Sequence, residues 1–383
     1  MTKHDGTYTR QQCPLPPKIK IVVKEWAEAG YPSVNRISIT PITRTLLNYW
    51  FNQEDSPFYK CQQEAIETLI YCYEILNKPN LSGLYKLFAP SHLEQSYHLK
   101  KITTGKFPEY CLKMATGTGK TWVLAMALIW QYFNAVKGQD KRFTKHFLVM
   151  APGIIVYKRL LDSFFGKEDM KGKRNVNKSD YYQEFFFPEG YKEDFMKLRK
   201  LTKEDITPNM EITEEPFVLI TNWHRLNFNV KKKKGTKLSD AIYYGFSDED
   251  ESLTETFKSL LIANQDLMIF NDEAHHVHES YGEDEKVWQE SINLIFEKLK
   301  AEYGEANITQ IDFSATPFET KQNKVIYFPH IIYDYDVIQA MNSKLVKQIF
   351  LETRNELTID DLDKVDMQLR SKLIKINLEK EDI

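Results

Sequence analysis

The run Met114-Ala115-Thr116-Gly117-Thr118-Gly119-Lys120-Thr121 constrains this chain more than any other segment. Gly117 and Gly119 lack the Cβ atoms that would keep successive backbone amides from turning toward one point. Lys120 adds a compact cation, Thr121 a hydroxyl, and the helix expected to follow them the positive end of its dipole. Amides, ammonium and hydroxyl together form a cradle for phosphate. In such a loop Lys120 reaches the β- and γ-phosphates of a nucleoside triphosphate, and Thr121 takes one position on Mg²⁺. Gly117, Thr118, Gly119, Lys120 and Thr121 are therefore candidate binding residues, with Met114 standing where the first glycine of the pattern is usually found. A G-K-T triplet alone can also cap a helix by accident, so its flanks decide. Tyr110 to Lys113 before it is extended in pattern, and Trp122 to Trp130 behind it is apolar nearly all round. Strand, loop and buried helix come in the required order.

The chain has 383 residues, enough for two or three ordinary domains or one large α/β lobe with additions. Hydrophobic residues make up 42% and charged residues 27%, a balance that excludes a disordered chain. No apolar run approaches the ~20 residues that span a bilayer, and the polar start Met1 to Gly6 does not read as a secretory leader. A cytoplasmic protein with no membrane partner is expected. Cys13, Cys61, Cys72 and Cys111 show no paired metal spacing and read as reduced thiols. The net charge of −3 gives no global basic field, so any nucleic-acid surface must be local. Lys231 to Lys234 is such a run, but the acids Asp248 to Glu251 nearby favour a solvated loop.

Near-continuous apolar runs recur at Phe147–Met150, Phe217–Ile220, Leu267–Phe270 and Ile308–Phe313, separated by helical stretches. That alternation predicts an α/β fold with a mostly parallel sheet sandwiched by helices. Each run ends in small or polar residues, where open α/β sheets place their ligands. Trp288, Ile292, Ile295, Phe296 and Leu299 recur at helical spacing and read as core. Residues 1–55 read as an N-terminal accessory segment, 56–350 as the main lobe, and 351–383 as a charged tail or the start of a linker. Two charged insertions are expected, at about 166–216 and 231–256. The aromatics Phe185-Phe186-Phe187 in the first are better suited to anchoring it on the lobe than to stacking on bases.

Asp272-Glu273-Ala274-His275 follows the strand Leu267–Phe270. Two adjacent carboxylates allow a division of labour: Asp272 holds Mg²⁺ opposite Thr121, while Glu273 orients and deprotonates an attacking water. Lys120, Asp272 and Glu273 are the catalytic candidates. His275-His276-Val277-His278 invites a zinc reading, which lacks a cysteine or carboxylate partner at matching spacing. Ser314-Ala315-Thr316 ends the last strand; Ser314 and Thr316 can hydrogen-bond toward Asp272 and His275 and so relay the nucleotide state.

The order A-T-G-T-G-K-T, D-E-A-H, S-A-T resembles motifs I, II and III of superfamily 2 helicases and translocases of the DEAD/DEAH-box type. More narrowly, Phe58 to Thr68, Asp334 to Met341 and Leu345-Val346-Lys347 resemble the helicase subunit of type III restriction enzymes and their relatives. The resemblance covers most of residues 20–350. It implies a RecA-like P-loop NTPase lobe that binds ATP and Mg²⁺, with Gln62 contacting adenine and Tyr59 or Phe58 stacking on the base. It implies a nucleic-acid face at Pro152, Gly153, Thr221 and Asn222. The implied partners are nucleic acid, expected to be double-stranded DNA, and a modification methyltransferase subunit or a chain supplying a second motor lobe. The family's second lobe carries an arginine that completes the ATP site, yet no G-R-x-x-R or Q-x-x-R-x-x-R follows Thr316. The reading is the first motor lobe of a DNA helicase or translocase of restriction or phage defence, truncated or completed by a partner. A nucleotide-controlled assembly module that moves no nucleic acid is the alternative.

Overall fold

The computed structural model describes residues 9–95, 107–170, 172–208, 210–222, 251–275, 284–321 and 324–347. Among these residues ten strands run in chain order: β1 (Thr9–Gln11), β2 (Glu109–Met114), β3 (His146–Ala151), β4 (Arg199–Thr202), β5 (Phe217–Asn222), β6 (Asp266–Asp272), β7 (Asn307–Ser314), β8 (Phe318–Lys321), β9 (Lys324–Tyr327) and β10 (Ile331–Tyr335). Seven of them form one sheet in the order β10-β2-β7-β6-β3-β5-β4, and every pairing in it is parallel. A small sheet, β1-β9-β8, carries the first strand.

Alternate residues of the central strands feed opposite faces, as the two-residue repeat of a strand requires. Phe147, Val149, Val218, Ile220, Met268, Phe270, Ile311 and Phe313 pack on the side of the helices Leu15–Glu28, Pro41–Phe51, Lys60–Ile70 and Lys120–Val136. Leu148, Met150, Leu219, Leu267, Ile269 and Ile308 face the helices Glu251–Ile262 and Asp284–Tyr303. Ile292, Ile295, Phe296 and Leu299 of the latter helix are in that core, as their spacing predicts; the side chain of Trp288 lies outside the described residues. Burial on both faces explains why these strands read as unbroken apolar runs. The fold is the expected α/β architecture.

The structure corrects the reading of residues 166–216 as insertion throughout. Arg199–Thr202 within them is the edge strand β4, paired in parallel with β5. The rest of the segment forms short turns whose aromatics are buried. Phe185 and Phe186 pack on Trp122 and Phe58, and Trp50 Nε1 donates to the Phe186 carbonyl at 2.9 Å. Anchoring is therefore their use. The second expected insertion lies mostly outside the described residues, but its end, from Glu251, belongs to the helix Glu251–Ile262. The Lys231–Lys234 run and residues 351–383 also lie outside them.

The helix Pro41–Phe51 is tied to the lobe by a buried polar knot. The helix Lys60–Ile70 continues into a π turn, Tyr71–Ile75, that carries Glu74. Glu74 accepts from the Thr40 backbone N–H at 2.8 Å and from Trp130 Nε1 at 2.9 Å, and the Thr43 hydroxyl donates to it as well. Burial raises the Glu74 pKa, and these donors pull it back. Glu74→Ala should strand several buried donors at about 1–3 kcal/mol each, for a loss of about 3 kcal/mol or more in urea unfolding. Glu74→Gln keeps an acceptor and should cost about 1 kcal/mol. Equal losses for the two variants would show that the knot does not act through its hydrogen bonds.

Candidate nucleotide site

The carboxyl edge of the parallel sheet collects the motifs in strand order. β2 delivers the loop 115–119, β7 ends at Ser314, β6 ends at Asp272, β3 runs into Pro152-Gly153, and β5 ends at Asn222. In the loop, Gly117 and Gly119 have φ of +86° and +79°, the left-handed region that glycine enters without strain. A Cβ on Gly119 would stand 2.1 Å from Gln62 Nε2, so the helix Lys60–Ile70 presses directly on the loop. The Thr118 hydroxyl donates to the Ala115 carbonyl at 2.7 Å and closes the turn. Met114, where a glycine is usually found, is the buried last residue of β2 and has no positive φ. No glycine is needed there.

Gln62 is held at both ends of its amide. Oε1 accepts from the Tyr59 N–H at 2.9 Å, capping its own helix, and Nε2 donates to the Thr118 carbonyl at 3.1 Å. It is buried against the loop. Phe58 is half-buried and packs edge-on among Phe51, Trp122, Phe185 and Phe186. Tyr59 beside it is 47% exposed.

Lys120 opens the helix Lys120–Val136 and is only 7% exposed. Its Nζ lies 3.5 Å from the Met114 carbonyl and 3.5 Å from Glu273 Oε1, which brings the two motifs together across β7. Asp272 is 1% exposed. Its Oδ2 accepts from Arg159 at 2.8 Å, and its Oδ1 accepts from the Glu273 backbone N–H at 3.1 Å. Burial raises the Asp272 pKa and the Arg159 guanidinium pulls it back. Glu273 has a φ of +52°, a left-handed conformation that costs a non-glycine residue free energy and turns the side chain off the end of β6. His275 Nδ1 lies 3.0 Å from Ser314 Oγ and 3.7 Å from Glu273 Oε2. The Thr316 N–H donates to the same Ser314 oxygen at 3.1 Å. Glu273, His275, Ser314 and Thr316 thus form one contiguous path; His276 and His278 lie outside the described residues.

Two residues of the site had no sequence signal. Arg159 sits on the helix Ile154–Phe165 after β3 and meets Asp272 because β3 and β6 are neighbours. Tyr181 comes from the 166–216 segment and is 1% exposed, with its hydroxyl close to the Thr121 side chain. Of the expected nucleic-acid residues, Pro152 and Gly153 are half-buried, with Ile154 and Ile155 exposed after them. Thr221 and Asn222 are buried. Their backbone at the end of β5 runs toward residues outside those described.

Among the described residues no helix is long and apolar enough to cross a membrane. The family model described as type III restriction enzyme, res subunit, matches residues 55–319. No curated protein and no solved structure matches the chain. The matched stretch runs from the helix carrying Gln62 through the phosphate loop and Asp272-Glu273 to Ser314 and Thr316, the residues gathered on the sheet edge. By this match and by its parallel sheet, the chain belongs to the type III restriction enzyme res subunit family and carries that family's helicase-like ATPase module.

Proposed function

We propose that this chain is the ATP-binding and hydrolysing first lobe of a DNA helicase or translocase of restriction or phage defence. The observation that carries the reading is the 3.5 Å approach of Lys120 Nζ to Glu273 Oε1, across two strand ends of one sheet edge. The loop amides and Lys120 bind the terminal phosphates. Thr121 and Asp272 are the residues that would hold Mg²⁺, and the donor set, one hydroxyl and one buried carboxylate beside a phosphate loop, fits that ion, which takes few protein ligands and keeps its waters. When bound, Mg²⁺ neutralises charge on the phosphoryl oxygens. Glu273 accepts a proton from the water that attacks the γ-phosphorus, and ADP and phosphate leave. Tyr59 is the aromatic exposed to a base; Gln62 reaches adenine only by sharing an amide already bonded to the loop. His275, Ser314 and Thr316 carry the change at Glu273 toward the 318–335 segment. DNA is contacted through Pro152, Gly153, Thr221 and Asn222, with a methyltransferase subunit or a second-lobe chain as the protein partner.

In P-loop NTPases an arginine supplied from outside the phosphate loop is worth about 10³ to 10⁵ in turnover, and gripping a strand needs two lobes that close around the nucleotide. The polypeptide of residues 1–383 should therefore hydrolyse ATP slowly and should not unwind duplex alone. Steady-state hydrolysis with and without DNA, at several protein concentrations, measures this. Fast, DNA-stimulated turnover independent of protein concentration would show that one chain supplies every catalytic group.

A further inference from the structure

We propose that Val346 is a positioning residue of the phosphate loop, one jaw of a clamp whose other jaw is Gln62, an inference that rests on the nucleotide-site reading above. Both glycines of the loop are pressed at the place their missing Cβ would take. On Gly119 that place belongs to the Gln62 amide, and on Gly117 a Cβ would stand 3.1 Å from Val346 Cγ1. Gln62 comes from the helix Lys60–Ile70, ahead of the loop in the chain, and Val346 comes from the turn after β10 and the helix Val337–Asn342. The loop is thus held from two sides by segments that meet only in the fold.

The turn that carries Val346 is itself fixed. Asp336 Oδ1 accepts from the Gln339 N–H at 2.8 Å and starts the helix; Lys344 then takes a φ of +57°, and the Leu345 N–H returns to the Ala340 carbonyl at 3.0 Å. Tyr335 joins turn and loop: its hydroxyl donates to Ser343 Oγ at 2.8 Å, while its carbonyl accepts from the Ala115 N–H at 2.9 Å. Leu345 and Val346 are half-buried against the core that holds Met114 and Ala115. A glycine-rich loop has more backbone freedom than any other, and a ligand that must order it loses affinity. Gly117 has no side chain of its own to limit that freedom, so a neighbour must. Valine suits the task, because its branched side chain is stiff about χ1. Gln62 takes the Thr118 carbonyl and Val346 offers only methyl groups. Neither jaw occupies the inward amides, which stay open to phosphate.

The test compares Val346→Thr, which keeps the branched shape and can turn its hydroxyl to water, with Val346→Ala, which removes the branch. Two readings are taken on each full-length protein: hydrogen exchange of the backbone amides of residues 115–121 without nucleotide, and titration of labelled ATP in chelator and in Mg²⁺. In Val346→Ala the loop amides should exchange faster while the rest of the sheet does not, and ATP affinity should fall about three- to tenfold in both media, as loosening a preorganised site gives. Val346→Thr should match the parent in both readings. Loop exchange at the parent's rate in Val346→Ala would overturn the proposal, as would faster exchange with the parent's affinity. Faster exchange throughout the sheet, or equal losses in the two variants, would mark a packing role and overturn it too. A parent chain that binds no ATP would instead overturn the nucleotide-site reading itself, and this inference with it.

Discussion

Glu273→Gln is expected to leave ATP binding intact and to lower turnover by a factor on the order of 10² or more. The carboxamide has the size and shape of the carboxylate, and glutamine is no worse suited than glutamate to the φ of +52° found there. Asp272, Arg159 and Lys120 keep their places. The variant loses the group that takes the proton from the attacking water, a contribution made in the transition state and absent from binding. Nucleotide titration and phosphate release, measured side by side on parent and variant, separate the two effects. Hydrolysis at the parent's rate would show that Glu273 is not the base and would leave its strained backbone without a chemical reason. A matched loss of binding would place it among the phosphate ligands instead.

What could be read from the sequence follows from where each residue sits. β3, β5, β6 and β7 were legible because strands buried on both faces must be apolar along their whole length. β4 escaped because Arg199-Lys200-Leu201-Thr202 is an edge strand in which only Leu201 is buried. β10, on the opposite edge, showed its Asp334-Tyr335 as part of a family resemblance but not as a strand. The phosphate loop and Asp272-Glu273 were legible because their chemistry needs adjacent residues, and adjacency survives in a one-dimensional string. Arg159 and Tyr181 were not, because Arg159 reaches Asp272 only through β3 lying next to β6, and Tyr181 reaches Thr121 only through a turn in a charged segment folding back. Gln62 shows an intermediate case. The family resemblance implies an adenine contact for it, while its amide is bonded to the Tyr59 N–H and the Thr118 carbonyl, bonds that only tertiary packing defines. The same holds for Phe58, whose aromatic neighbours come from three separate segments.

Lys120→Ala should abolish ATP binding at concentrations that saturate the parent, while leaving the fold in place. The ammonium is buried against the loop, with the Met114 carbonyl and Glu273 Oε1 each at 3.5 Å, distances too long for strong bonds to either. Removing it therefore costs the fold little, about 1 kcal/mol, and Glu273 keeps Arg159 at 4.0 Å. For a bound triphosphate the same ammonium is the charge inside the cradle. Truncating one member of a desolvated charge pair costs about 2–5 kcal/mol, and at about 3 kcal/mol the affinity falls more than a hundredfold. The direct measurement is titration of labelled ATP, with Mg²⁺, onto the parent chain and Lys120→Ala at matched, melt-verified folding. The structure predicts saturable binding to the parent and a loss of about a hundredfold or more in the variant. Equal affinity in the two proteins would mean that the loop from Met114 to Thr121 does not seat the phosphates.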